Sequence, residues 1–175
     1  MTRIGIILGS TRDGRNGEPI AKWVEAIASR REDAEFELLD LLDYPLPARS
    51  EEWASAVESF DGFVIVAPEY DGRTSGVLQN AIDAVQAEWS GKAVGFVSYG
   101  WFGGAGAAKY LRRVVRELRM IDVPLHLELA LNIDFKQSGR FKPRVMNLGV
   151  LVMMLNQLVP TSAGLATTRR PSRST

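Results

Sequence analysis

Short, almost uninterrupted apolar segments recur along the chain. Three of them, Ile4–Leu8, Phe63–Ala67 and Ala93–Val97, carry no charged residue, which predicts strands buried on both faces of a sheet. Phe36–Leu42 alternates with polar residues and predicts a strand nearer the sheet edge, and Val123–Leu127 predicts a fifth strand.

Amphipathic segments separate these strands. Pro19 is well placed as the first residue of a helix, and apolar residues recur every three or four positions in 77–85 and 107–118. A last apolar stretch, Val145–Val159, predicts a closing helix. Because strand and helix alternate, connection rules predict a parallel sheet with right-handed crossovers and helices on both faces, which is a doubly wound α/β domain.

The composition fits one domain. The chain has 175 residues, of which 46% are hydrophobic and 24% charged, and its lack of cysteine excludes disulfides and cysteine nucleophiles. We assign residues 1–159 to the domain. Residues 160–175 contain no acid and are rich in Ser, Thr, Ala and Arg, so we expect them to form a mobile basic tail.

The charges are balanced, with 21 basic and 21 acidic residues, so no global field attracts nucleic acid or an anionic membrane. An anionic ligand must therefore be bound locally. The N-terminus lacks the pattern of a signal peptide, and the longest apolar run, Leu148–Leu155, is far shorter than the roughly 20 residues that cross a bilayer. We expect a cytoplasmic protein.

The loop between the first predicted strand and helix, Gly9–Pro19, carries candidate chemistry. It contains three glycines, the hydroxyls of Ser10 and Thr11, and the guanidinium groups of Arg12 and Arg15, and it leads into a helix N-terminus. It matches neither a dinucleotide turn nor a Walker loop. An exposed connector would also collect such residues, but two arginines and two hydroxyls at the ligand edge favour a phosphate monoester site.

Two further loops complete a pattern. Pro68-Glu69-Tyr70-Asp71-Gly72 follows the third strand, and Ser98-Tyr99-Gly100-Trp101-Phe102-Gly103 follows the fourth. Together with the first loop they closely resemble the NAD(P)H-dependent FMN reductase family, from Ile4 to about Leu129. The resemblance implies a flavodoxin-like fold with a five-stranded parallel sheet in the order 2-1-3-4-5.

The resemblance also implies a bound FMN that carries the chemistry, with NADPH or NADH as the hydride donor, no catalytic side chain and no metal. The acceptor would be a small molecule such as free flavin, a quinone, an azo compound or a metal oxyanion. The protein would be a homodimer or a dimer of dimers. The residues implied for the FMN phosphate are Ser10, Arg12, Arg15, Asn16 and Gly17. Those implied for the ring are Pro68, Glu69, Tyr70 and Asp71 on one edge and Ser98, Tyr99, Gly100 and Gly103 on the other.

Three positions depart from the family. It usually has Asn in place of Asp71, Pro in place of Ser75 and Lys in place of Gln79. A carboxylate at position 71 can accept from the ring but cannot donate to a carbonyl, and its charge opposes an anionic reduced flavin. Two rival interpretations stay open: a flavodoxin-like electron carrier, and a regulatory domain that has lost the flavin.

Two other features have ordinary alternatives. Trp101 and Phe102 are adjacent aromatics in a glycine-rich loop, where we favour a substrate lid or a subunit contact over a core role. The arginines at positions 112, 113, 116 and 119 are interpreted as the solvated face of a helix, because a charge run usually is one.

Overall fold

The computed structural model describes residues 1–46, 48 and 50–169. One parallel sheet forms the middle layer, with strands paired in the order β2-β1-β3-β4-β5 and a further strand, β6, also paired with β4. The sheet order confirms the predicted doubly wound fold. The strands are β1 (Thr2–Leu8), β2 (Ala34–Asp40), β3 (Gly62–Pro68), β4 (Ala93–Gly100), β5 (Ile121–Asp122) and β6 (Leu127–Ala130).

Helices cover both faces of the sheet, and each face has its own apolar core. One core joins α1 and α6 to the sheet, and the other joins α2, α3 and α4. All seven residues of β3 are buried, as a continuous apolar segment predicts. The helices are α1 (Gly17–Ala28), α2 (Glu51–Ser59), α3 (Gly76–Asp83), α4 (Ala105–Glu117), α5 (Leu131–Asp134) and α6 (Val145–Arg169).

The fifth predicted strand is interrupted at its centre. The sequence predicts Val123–Leu127, but pairing occurs on either side, in β5 and β6. Pro124 has no amide to donate, and the Arg112 side chain binds the carbonyls of Val123 and Pro124 at 3.0 and 2.9 Å. Hydrogen bonds from the Arg112 side chain thus replace the backbone ladder between β5 and β6. The predicted fifth strand is therefore divided into two.

The closing helix is longer than its apolar stretch predicts. α6 continues through Pro160 to Arg169, and the side chain of Ser162 in this extension is fully buried. The expectation of a tail beginning at residue 160 is therefore wrong for residues 160–169. Residues 170–175 lie outside the described residues.

The length of α6 also corrects the expectation that no segment is long and apolar enough to cross a bilayer. By length and composition alone, the helix is apolar enough to cross a membrane. A third of its most apolar stretch is buried, and the buried residues, among them Leu151, Met154 and Leu158, pack on the sheet.

Candidate functional site

The first loop crosses directly over the neighbouring strand. The Gly9 amide donates to the Val66 carbonyl at 2.9 Å, and a Cβ at Gly9 would lie 2.7 Å from that oxygen. The loop ends at Asn16, the N-cap of α1, and no side chain caps this helix. The first turn of α1 therefore presents uncapped amides and the positive end of its dipole, which is the usual arrangement for binding an anion.

The two arginines of this loop lie in different environments. The Arg15 guanidinium makes two hydrogen bonds with the Asp40 carboxylate and donates to the Ser10 carbonyl at 2.8 Å. Burial alone would raise the pKa of Asp40, but the bonds from Arg15 and from the Leu42 amide hold it below its usual range. Arg12 is exposed and forms no ion pair within the described ranges. The structure thus leaves Arg12 available for a phosphate, whereas Arg15 braces the loop.

Tyr99 lies beneath the first loop. Its side chain is buried, and a Cβ at Gly17 would lie 2.6 Å from its hydroxyl. Burial raises the pKa of the Tyr99 phenol well above its usual range, opposed only in part by a hydrogen bond with Ser10. A side chain at position 17 would require Tyr99 or Leu8 to shift, and Tyr99 supports the phosphate loop from below. The Tyr99 side chain lies under the loop, and the contact of position 99 with a ring edge stays a prediction.

The second loop is a tight two-residue turn. Tyr70 and Arg73 exchange backbone hydrogen bonds of 3.0 and 2.9 Å, and the residues between them, Asp71 and Gly72, both have positive φ. Tyr70 is 47% exposed and Asp71 is exposed. Asp71 forms no ion pair with Arg12 or Arg73, both within the described part of the chain. Its negative charge is therefore not neutralised by a neighbouring arginine.

Glu69 joins this turn to the next loop. Its amide donates to the Tyr99 carbonyl at 2.8 Å, extending the β3–β4 ladder past Pro68, the last residue of β3. Its carboxylate accepts from the Ala107 amide in the first turn of α4 at 3.1 Å. A carboxylate at a helix N-terminus is favoured by the helix dipole, so Glu69 fixes the distance between the two loops.

The third loop is built from close glycine contacts. A Cβ at Gly100 would lie 2.3 Å from the Gly103 carbonyl, and Gly103 has a φ of 117°. Ser98 is fully buried, and a Cβ at Gly104 would lie 2.6 Å from its hydroxyl. The side chain of Ser98, like that of Tyr99, therefore points away from the loop surface. Any contact with a ligand at these two positions would come from the backbone.

The sequence did not predict the roles of two residues between these loops. The Ser75 hydroxyl donates to the Gly9 carbonyl and accepts from the Leu78 amide at 3.2 Å, so it ties the second loop to the first and caps α3. The Thr74 hydroxyl is buried and has no hydrogen-bond partner among the described residues. A serine directly before a periodic apolar segment is an N-cap signal and could have identified the cap. An unsatisfied buried hydroxyl is visible only in the fold, and it suits a polar ligand group.

A wall formed by the segment after β6 stands beside the third loop. Its centre is the buried carboxylate of Asp134, which accepts from the Ala130 amide, the Arg144 guanidinium and the Asn147 amide group at 2.8–3.3 Å. Between this wall, Asn16 and the 64% exposed Trp101 lies a cavity of about 350 Å³. Phe102 is 85% exposed, which excludes a core role for either aromatic side chain of this pair.

The arrangement fits a phosphorylated planar ligand. One end offers uncapped helix amides and the exposed Arg12, while the neighbouring loops offer backbone groups, glycines that permit close approach, and the unpaired Thr74 hydroxyl. These features match FMN, which has a phosphate at one end and a flat ring with polar edges at the other. The predicted residues thus come together, with Arg15, Ser98 and Tyr99 turned inward.

Comparison with known proteins also points to an FMN-binding protein. The family model described as NADPH-dependent FMN reductase matches residues 2–132. An NAD(P)H-dependent FMN reductase of Schizosaccharomyces pombe is 34% identical over 160 residues, covering 82% of this chain and 80% of the relative. A 2-hydroxy-1,4-benzoquinone reductase of a Burkholderia species is 29% identical over 135 residues, covering 68% and 73%.

Solved structures share the fold. FerB of Paracoccus denitrificans, described as a flavoenzyme NAD(P)H:(acceptor) oxidoreductase, superposes with a TM-score of 0.69 at 18% identity, covering 94% of this chain and 98% of that one. The sheet order, the three adjoining loops and the sequence match over residues 2–132 lead to one conclusion. The chain belongs to the NADPH-dependent FMN reductase family.

Proposed function

We propose that the protein is an NAD(P)H-dependent FMN oxidoreductase that passes electrons to a small acceptor. The observation that carries the proposal is the set of polar groups left open at one end of the sheet: the exposed Arg12, the uncapped α1 amides and the orphan Thr74 hydroxyl. When bound there, FMN supplies the chemistry of hydride acceptance and electron transfer.

The residues of the site bind and orient the cofactor. Arg12 and the α1 amides bind the phosphate, and the Arg15–Asp40 pair keeps the loop in place. Glu69, through the Ala107 amide, holds the second loop against the third, so that backbone groups of both loops would be available to the ring. No side-chain acid or base is assigned, because the cofactor carries the reaction.

A visible spectrum of the purified protein, with and without added FMN, tests the binding step. We expect a flavin spectrum perturbed by the protein, and steady oxidation of NADPH or NADH with FMN or a quinone as acceptor. The kinetics should be ping-pong, since donor and acceptor use the same open ring face in turn. A protein that binds FMN tightly but leaves both nucleotides unoxidised would support the carrier interpretation instead.

A quinone is the acceptor we propose to test first. The support is the relative that acts on 2-hydroxy-1,4-benzoquinone, together with the exposed indole of Trp101, which offers a surface on which a flat acceptor can stack. Substitution Trp101→Ala should raise the KM for a quinone more than the KM for the nucleotide. Equal changes in both would argue against stacking on Trp101.

We also propose a cytoplasmic homo-oligomer. The balanced charge of the chain supports the location, and the exposed apolar residues of α6 support the assembly: Val145, Met146, Leu148, Val152 and Met153. Gel filtration tests the assembly: elution as a monomer of 19.3 kDa would contradict it.

A further inference from the structure

A second, larger cavity lies beside α4, outside the loops that hold FMN. It has a volume of about 670 Å³, within the range of small-molecule sites. One wall is the outer face of α4, including Ala105, Lys109 and Arg113, and the opposite wall carries His126 and Glu128. The cavity is an open cleft that runs along the helix.

One end of this cleft begins at the third loop. Ala105 is the first residue of α4, directly after Gly103 and Gly104, and a Cβ at Gly103 would lie 3.4 Å from the Glu128 carboxylate. With a rise of 1.5 Å per residue, Lys109 and Arg113 lie about 6 and 12 Å along the helix from Ala105. A ligand with its reacting end at the third loop could therefore extend into the cleft.

Part of the cleft wall is a closed hydrogen-bond network. Arg112 binds Asp122, the carbonyls of Val123 and Pro124, and Nδ1 of His126 at 3.3 Å. A guanidinium can only donate, so Nδ1 of His126 is the acceptor in the Arg112 contact, and Nε2 lies 2.7 Å from the Glu128 carboxylate. These groups are therefore engaged in hydrogen bonds within the protein.

Two cations on the cleft have no such partner. The Lys109 ammonium and the Arg113 guanidinium form no ion pair with a carboxylate in the ranges that the structure describes, whereas Arg116 is bound to Asp122 at 2.7 Å. Arg113 lies over the Tyr110 ring at 5.6 Å, which restricts it without neutralising it. Lys109 and Arg113 are four residues apart, so they share one face of α4.

We propose that this cleft binds the adenosine half of NADPH and that Lys109 and Arg113 contact its 2′-phosphate. The inference rests on the proposed function, because it takes a nicotinamide nucleotide as the hydride donor. The nicotinamide would lie at the flavin loops, and the phosphate-bearing half would reach the two free cations. NADH lacks the 2′-phosphate, so these residues set the preference between the two donors.

The test compares two double variants that remove the same charges. Lys109→Gln/Arg113→Gln alters the cleft, and Lys22→Gln/Arg30→Gln removes one Lys and one Arg on α1 and in the turn after it, away from the cleft. Binding of adenosine 2′,5′-bisphosphate and of AMP is measured calorimetrically on the FMN-saturated protein, without turnover. The kcat/KM values for NADPH and NADH are measured separately with one quinone.

We expect the cleft variant to bind the bisphosphate about tenfold more weakly than the wild type, because two exposed cations each contribute a few-fold in affinity. AMP binding and kcat/KM for NADH should change less than twofold, and kcat/KM for NADPH should fall about tenfold. Unchanged bisphosphate affinity, an equal loss for AMP, or an equal loss in the α1 variant would overturn the proposal. A wild-type protein that oxidises neither nucleotide would refute the proposed function instead, and the bisphosphate titration would still decide whether the cleft binds the 2′-phosphate.

Discussion

The two ends of the parallel sheet use polar residues in opposite ways. At the amino ends of the strands, Lys92 donates to the Glu58 carbonyl at 3.1 Å, and Asp61 accepts from the Arg3 amide and the Arg169 side chain at 3.0 Å. At the carboxyl ends, Arg12 and Asp71 are exposed without an ion pair in the described ranges. The first end fastens the C-terminal helix to the sheet, and the second presents open groups.

The difference shows how binding groups can be separated from structural ones. A buried charge costs stability unless it is paired, and the buried charges of the scaffold, Lys92, Asp61 and Asp134, are hydrogen-bonded within the protein. A group kept for a ligand stays open until the ligand is bound. The carboxyl end contains both kinds, because Asp134 and the Arg15–Asp40 pair hold the loops that carry the open groups.

The largest expected effect is at Asp134. Replacing it with alanine leaves the Ala130 amide and the Asn147 side chain without their acceptor and removes the anion that faces Arg144. We expect the free energy of unfolding in urea to fall by about 3 kcal/mol. The same change at the exposed Asp83 should cost less than about 0.5 kcal/mol. A loss at Asp134 no larger than at Asp83 would show that the wall does not depend on this carboxylate.

The second effect tests the opposite end of the sheet. Burial lowers the pKa of Lys92 from 10.5 to about 8, with the charge of Arg169 as a further cause. The unfolded chain then binds more protons than the folded one between these pH values, so the free energy of unfolding should rise as pH increases from 8 to 10. We expect a gain of about 2 kcal/mol, which Lys92→Met should abolish. If wild type and Lys92→Met show parallel pH profiles of stability, burial does not lower the pKa of Lys92.

The third comparison separates the two arginines of the phosphate loop. Arg15→Ala leaves Asp40 without its ion pair and should lower the free energy of unfolding by about 2 kcal/mol. Arg12→Ala should leave stability unchanged but weaken FMN binding by about tenfold or more, with little effect on riboflavin. Fluorescence titration with both flavins measures this difference. If Arg12→Ala weakens both flavins equally, its contact is not with the phosphate.

The smallest effect concerns Asp71. At about 5 Å and an effective dielectric near 20, its carboxylate would repel an anionic reduced flavin by roughly 3 kcal/mol before screening, and exposure to water reduces this. Asp71→Asn should therefore raise FMN affinity a few-fold and raise the midpoint potential, since Asn also tolerates the φ of 48°. Spectroelectrochemistry checks the potential, with Asp83→Asn as the control. An unchanged potential would place Asp71 away from the ring.

Several features followed from the sequence because they depend on residues close together in the chain. Continuous apolar segments identified β1, β3 and β4, and the glycine-rich loops after them identified the family and the ligand end of the sheet. Even the edge position of β2 followed from its polar alternation. Such patterns indicate which positions are buried, because buried side chains recur at the period of a helix or a strand.

Other features were decided only by the tertiary structure. Arg12 and Arg15 are chemically identical in the sequence, and only the approach of Asp40, 25 residues away, makes Arg15 structural. The break in the fifth strand depends on Arg112 reaching the carbonyls of Val123 and Pro124. The continuation of α6 to Arg169 brings that residue to Asp61, 108 positions earlier in the chain. Hydrogen-bond partners so distant in sequence leave no periodic signal, so which polar groups stay open for a ligand becomes visible only once the chain has folded.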